Sequence, residues 1–178
     1  MRPSAQHWGT TRAEREATYP CERYATRPYR RYLRAVDVDA DLAVLFRWVC
    51  QVKVAPYSYD WIDNGGRQSP RQLTPGAEKL AVGQAFIVGT IVEFETGCHI
   101  TAVGTPKAAR IFGPITLTYQ VREQGTGSRL TVALTVSASS LPGRVRRELL
   151  GWGDLVMMRK QLLTLKACAE ASELAKGA

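Results

Sequence analysis

Between Ile115 and Ser137 apolar and polar residues alternate one for one. Ile115, Leu117, Tyr119 and Val121 fall on one side, with Leu130, Val132, Leu134 and Val136 opposite them; Thr116, Thr118, Gln120, Arg129, Thr131 and Thr135 take the other side. A period of two belongs to strands, so the pattern predicts Ile115–Glu123 and Arg129–Ser137 as a hairpin across Gln124-Gly-Thr-Gly-Ser128. One apolar and one polar side imply an antiparallel sheet covered on a single face and wet on the other. Upstream, Gln84 to Glu95 is expected as a long strand, and Cys98 to Gly104 as its return after Thr96-Gly97. Phe86, Val88, Val92 and Phe94 then fit the covered face. Tyr32–Val38 supplies the first strand.

Elsewhere the period lengthens. Leu42, Leu45, Phe46 and Val49 recur at helical spacing, behind Asp39 or Asp41 as a cap. From Pro142 to about Lys176 runs a long helix. Val145, Leu149, Trp152, Val156 and Leu163 form one stripe of it, with Leu155, Met158, Leu162 and Leu165 beside them. At about 1.5 Å per residue it would cross an entire sheet. Gly151 and Gly153 flank Trp152 and mark a bend or a close approach there. Residues 1–31 carry no sustained period beyond a short helix capped by Thr10 or Thr11, with Glu14 in its first turn. They are expected to form an arm that packs on a domain spanning 32–178. Strand, helix, short helix, antiparallel strands and one long helix make an α+β chain of helix-grip order. A curved antiparallel sheet wraps a long C-terminal helix, and the space between them stays hollow.

Composition narrows the class. The chain of 178 residues is 45% hydrophobic and 22% charged, ordinary for a globular domain. No apolar run approaches the roughly 20 residues that cross a bilayer, and residues 1–31 hold no apolar leader, so a cytoplasmic protein is expected. The net charge of +8 raises the question of nucleic acid. No helix-turn-helix, zinc-finger or RNA-recognition signature accompanies the arginines, and a solvated basic surface is the expectation. Cys21, Cys50, Cys98 and Cys168 are scattered, and His7 and His99 lie far apart, so familiar spacings assemble no metal site. No cofactor is expected. Asp37, Asp39 and Asp41 fail as a calcium loop, because its sixth and twelfth positions hold Leu42 and Trp48.

Candidate chemistry concentrates in Ala55–Pro70, where Tyr57, Tyr59, Asp60, Trp61, Asp63 and Arg67 fall between two prolines and around a Gly-Gly pair. Ser58 is placed to cap a short helix there, with Asp60 in its first turn and Gly65 at its end. Tyr57 and Tyr59 could offer hydroxyls to a ligand carbonyl. Asp60 could act as a base if Trp61 desolvates it, and Arg67 could hold a carboxylate or enolate. The competing readings are plain: aromatics plugging a core, a carboxylate stabilising a helix start, a solvated arginine. Trp61, Phe86, Val88, Phe94, Leu117, Tyr119, Leu134, Trp152 and Val156 would line a cavity.

Three segments carry a resemblance: Trp8-Gly-Thr-Thr11, Pro56-Tyr-Ser-Tyr-Asp-Trp-Ile-Asp-Asn64, and Val92-Glu-Phe-Glu95 followed by His99-Ile-Thr101. In them the chain resembles the START/SRPBCC superfamily, and within it a bacterial polyketide cyclase/dehydrase-like branch. The resemblance implies a helix-grip domain whose partner is a small hydrophobic or aromatic ligand, with a homodimer compatible. It implies either cyclisation, dehydration or aromatisation of that ligand, with Tyr57, Tyr59, Asp60 and Arg67 as the catalytic candidates, or a carrier that leaves the ligand unchanged.

Overall fold

The computed structural model describes residues 6–58, 68–137 and 141–176, the side chains of 141–154 excepted. Seven strands form one curved sheet: β1 (His7–Trp8), β2 (Tyr29–Val38), β3 (Ala85–Phe86), β4 (Gly89–Glu95), β5 (His99–Gly104), β6 (Ile115–Gln124) and β7 (Gly127–Ser137). Their order is β1-β2-β7-β6-β5-β4-β3, antiparallel throughout except for the β1–β2 pair. Register sets the faces. Leu117 pairs with Leu134, Tyr119 with Val132 and Val121 with Leu130, so the apolar side read from the alternation is a real, continuous face. Tyr32, Arg34 and Val36 extend it through their pairs on β7, and Ile100 and Ala102 through theirs on β6.

The expected long strand from Gln84 to Glu95 is instead a hairpin. Phe86 pairs with Gly89, and Ile87 takes a left-handed φ of 55° to make the turn. Phe86 stays buried on the concave face, whereas Val88 falls in the turn and is exposed. That corrects its placement on the covered face. Phe94 keeps its inward register opposite Ile100, below a bulge between Ile91 and Glu93.

Among the described residues the α-helices are α1 (Arg12–Glu16), α2 (Leu42–Cys50), α3 (Pro106–Phe112) and α4 (Leu141–Leu174). Asp41 caps α2 by accepting the Ala43 N–H at 2.7 Å, and Leu45, Phe46 and Val49 are buried as their spacing predicts. The helix α3 was not expected, although Thr105 before Pro106 is a sound N-terminal signal: the Thr105 hydroxyl accepts the Ala108 N–H. The long helix lies on the concave face. Of the two stripes read in the sequence the second, with Leu162 and Leu165, is the one that packs, while the first is turned outward at Val156 and Leu163. Leu162, Leu165 and Ala169 are wholly buried, while Val156 is 54% exposed and Leu163 40% exposed. A 34-residue helix is apolar in two adjacent stripes, and the sheet it packs on decides which of them is buried. Its far end is tied to the β2–α2 corner: Glu170 and Glu173 accept the N–H groups of Asp39 and Asp41, and Trp48 donates to Ser172.

The convex face is not wet. Residues 11–24 lie across it, and Thr116, Thr118, Thr131 and Thr135 are buried there together with Arg129. Thr118 accepts the Cys21 N–H at 2.9 Å, and Thr116 donates to the Cys21 carbonyl at 2.8 Å. Thr11 and Glu14 form a capping box on α1, and Glu14 then bonds Arg129, Arg122 and Thr131. Arg129 also reaches Asp37 at 2.8 Å and the Gly9 carbonyl. Polar residues on a strand signal water only when nothing covers them. Here the arm supplies the partners that water would have supplied.

Candidate functional site

The concave face holds one large apolar cluster, from α2 across β6 and β7 to Leu162 and Leu165, and a smaller one around Tyr32, Ala108, Ile115 and Val136. Leu134 touches both. Its neighbours across the sheet, Tyr32 and Leu117, and along the strand, Val132 and Val136, are all buried, yet Leu134 itself stays partly exposed. Leu134 is thus a partly exposed position on the apolar face, between its two clusters and toward the Ser137 end of β7.

Tyr119 stands one inward position along β6 from Leu117, the residue paired with Leu134. It is 1% exposed, its ring meets Phe86 edge-on at 5.5 Å, and its hydroxyl bonds Gln161 of α4 and lies 3.8 Å from the Met158 sulfur. Gln161 passes the chain on, donating to the Pro56 carbonyl. This places the start of the Ala55–Pro70 segment against the concave face. Tyr57 is buried there with a left-handed φ of 55°, edge-on to Trp48 at 6.0 Å, and its N–H donates to Ser69 at 3.2 Å. The two ends of the segment thus meet at one hydrogen bond. Farther along, the buried Gln51 amide clamps the following loop through Gln72 and Thr74.

Among the expected site residues, Tyr57, Phe86, Phe94, Leu117, Tyr119 and Leu134 therefore share the concave side. Val88 and Val156 are exposed and do not join them. Tyr59, Asp60, Trp61 and Arg67, and the short helix expected around them, lie outside the described residues, as does the Trp152 side chain. Sequence reading missed Gln161. Its signal is a polar residue beside Leu162 and one turn from Leu165 on an otherwise apolar stripe, a position that calls for a specific partner. Burial pushes the Cys21 and Cys50 thiols up to about 11 and about 12, which disfavours their thiolates.

No family model matches the chain, and neither does any curated protein. Solved structures do. A protein of Mesorhizobium loti aligns with 80% of this chain and 98% of its own, with a TM-score of 0.52 at 14% identity. The di-domain ARO/CYC protein StfQ from the steffimycin biosynthetic pathway aligns with 81% of this chain and 51% of its own, with a TM-score of 0.50 at 12% identity. The chain has the helix-grip fold. At these identities the likeness is one of fold, and the chain corresponds to about half of StfQ. Among the described residues of this helix-grip domain, no helix is long and apolar enough to cross a membrane.

Proposed function

We propose that this helix-grip domain binds a hydrophobic small molecule, aromatic or polyketide-like, in the space between the concave face and α4. The observation that supports the reading is Leu134. In a filled core, an inward position flanked by buried neighbours along and across the strands is itself buried, because those neighbours surround it. A leucine that keeps solvent access there, with four buried neighbours around it, borders a hollow with apolar walls, the usual character of a ligand site. The likeness to an ARO/CYC protein is compatible with this ligand class.

Cyclisation, dehydration or aromatisation of that ligand by acid–base chemistry is the finer reading, with Tyr57, Tyr59, Asp60 and Arg67 as its groups. The packing of Tyr57 against Trp48 favours the carrier alternative, since a tyrosine fixed in the core has little freedom to serve a reacting atom.

Native mass spectrometry of the purified protein identifies any small molecule that accompanies it. With that molecule or an aromatic dye as probe, Leu134→Trp is expected to weaken binding at least roughly tenfold, about 1.4 kcal/mol, while the thermal midpoint holds. Unchanged affinity would overturn the proposal. Tyr59→Phe and Asp60→Asn, taken singly, are expected to lower turnover far more than binding if the domain is an enzyme; equal loss of both, or of neither, would favour the carrier.

A further inference from the structure

We propose that the β4–β5 turn on the convex face is a divalent transition-metal site, best suited to zinc, with Glu95, Cys98 and His99 as its protein ligands. The metal-binding atoms of these three residues all lie within 4.8 Å of one another. Around a tetrahedral zinc with bonds of about 2.0–2.3 Å, ligand atoms sit roughly 3.3–3.8 Å apart, so small side-chain rotations close the set. One carboxylate, one thiolate and one imidazole leave the fourth position to water or a small anion.

The frame around these ligands is fixed. The Cys98 N–H donates to the Glu95 carbonyl at 3.0 Å and closes the turn, with Gly97 at a φ of 75°. The Val121 N–H holds the Cys98 carbonyl at 2.8 Å from β6. Glu95 and His99 are register partners across the two strands. The His99 ring is oriented as well: its Nε2 lies 3.0 Å from Glu93, and its Nδ1 faces Glu95 at 3.9 Å. Glu93 accepts the Tyr24 hydroxyl at 2.7 Å and is paired with Arg23. A histidine whose far nitrogen donates to a carboxylate presents the near nitrogen unprotonated, which is how metal-ligating histidines are held. On binding, the Cys98 thiol gives its proton to solvent and its sulfur becomes the ligand. Glu95, Cys98 and His99 fall within five residues in no familiar metal-motif spacing. Glu93 joins them only through the strand register.

Cobalt titrated into metal-free protein tests this, because a thiolate ligand produces charge-transfer absorption. One Co2+ per chain with that band, displaced by Zn2+, is expected. Cys98→Ser should abolish the band, and His99→Ala and Glu95→Ala should weaken affinity at least tenfold. Glu93→Gln, which removes no ligand, should weaken it by roughly 10–100-fold. The absence of a band at stoichiometric cobalt, a band that survives Cys98→Ser, or unchanged affinity in Glu95→Ala would each overturn the site. The Glu95 side chain is 70% exposed, so its variant reports on the metal even if the turn cysteine proves necessary for folding.

Discussion

On the concave face, Leu130, Val132 and Leu117 meet Leu162 and Leu165 through side chains without polar atoms. On the convex face, an equally buried layer of threonines closes with Arg129 and Glu14 under residues 11–24. The two sides of one sheet are covered by different mixtures: the concave side mainly by apolar contacts, with Tyr119 bonded to Gln161, and the convex side by a hydrogen-bonded layer beside a small apolar cluster of Tyr19, Cys21, Leu33 and Ala133. Apolar burial is non-directional, so it survives gaps, and the concave side can leave Leu134 partly open. A polar layer has no such latitude, because every donor and acceptor left without a partner costs free energy. A hollow for a ligand can therefore exist on one side and not on the other.

The comparison breaks first at Arg129. Arg129→Ala leaves the Glu14 carboxylate buried beside a vacancy and is expected to cost about 3–5 kcal/mol in urea unfolding. Replacing both partners with Glu14→Leu and Arg129→Met should recover part of that loss, since no buried carboxylate is left short of its main partner, while the Thr11 N–H, Arg122 and Thr131 lose their acceptor. On the other face, Leu162→Ala is expected to cost about 2–5 kcal/mol by opening a cavity. Leu134→Ala, the same deletion beside solvent, should cost visibly less; equal losses would mean that the concave side is filled throughout. Thr118→Val keeps the shape but removes the acceptor of the Cys21 N–H, for about 1–3 kcal/mol.

Acid gives the most graded test. Burial raises the Glu14 carboxyl, but its hydrogen bonds to Arg129 and Thr11 and the Arg129 charge outweigh this and hold it at about 2, against an ordinary 4.5. The stability it adds is full above pH 4.5 and is lost as pH falls toward 2. Glu22 and Glu93 are held low in the same way by their arginine and tyrosine partners, so they add to the same slope. Unfolding midpoints measured from pH 5 to about pH 2 should fall less steeply in Glu14→Gln than in the parent.

Much of this was legible one element at a time. The alternation from Ile115 to Val136 gave both strands and the correct apolar face, and Thr11, Glu14 and Asp41 marked their helix starts. Local signals failed where two readings had the same period. Val88 continues the strand pattern of Phe86 and Phe94, but the chain turns at Ile87. Val156 and Leu162 belong to neighbouring stripes of one helix, and only the sheet beneath selects between them. The aromatic and acidic character of Ala55–Pro70 was plain, as was its candidacy for a site, whereas Gln161 drew no notice because its partner Tyr119 is 42 residues away.

By itself the sequence determined which segments become strands and helices and which face of the central hairpin is apolar, since periodicity and capping act between residues a few positions apart. Only the tertiary structure decided that the polar face would be buried, that Glu14 would meet Arg129 across 115 residues, and that Leu134 would stay partly exposed among buried neighbours. Those outcomes depend on which surface arrives to cover which. Arrival is set by long-range register and packing, and neither leaves a mark in the local pattern.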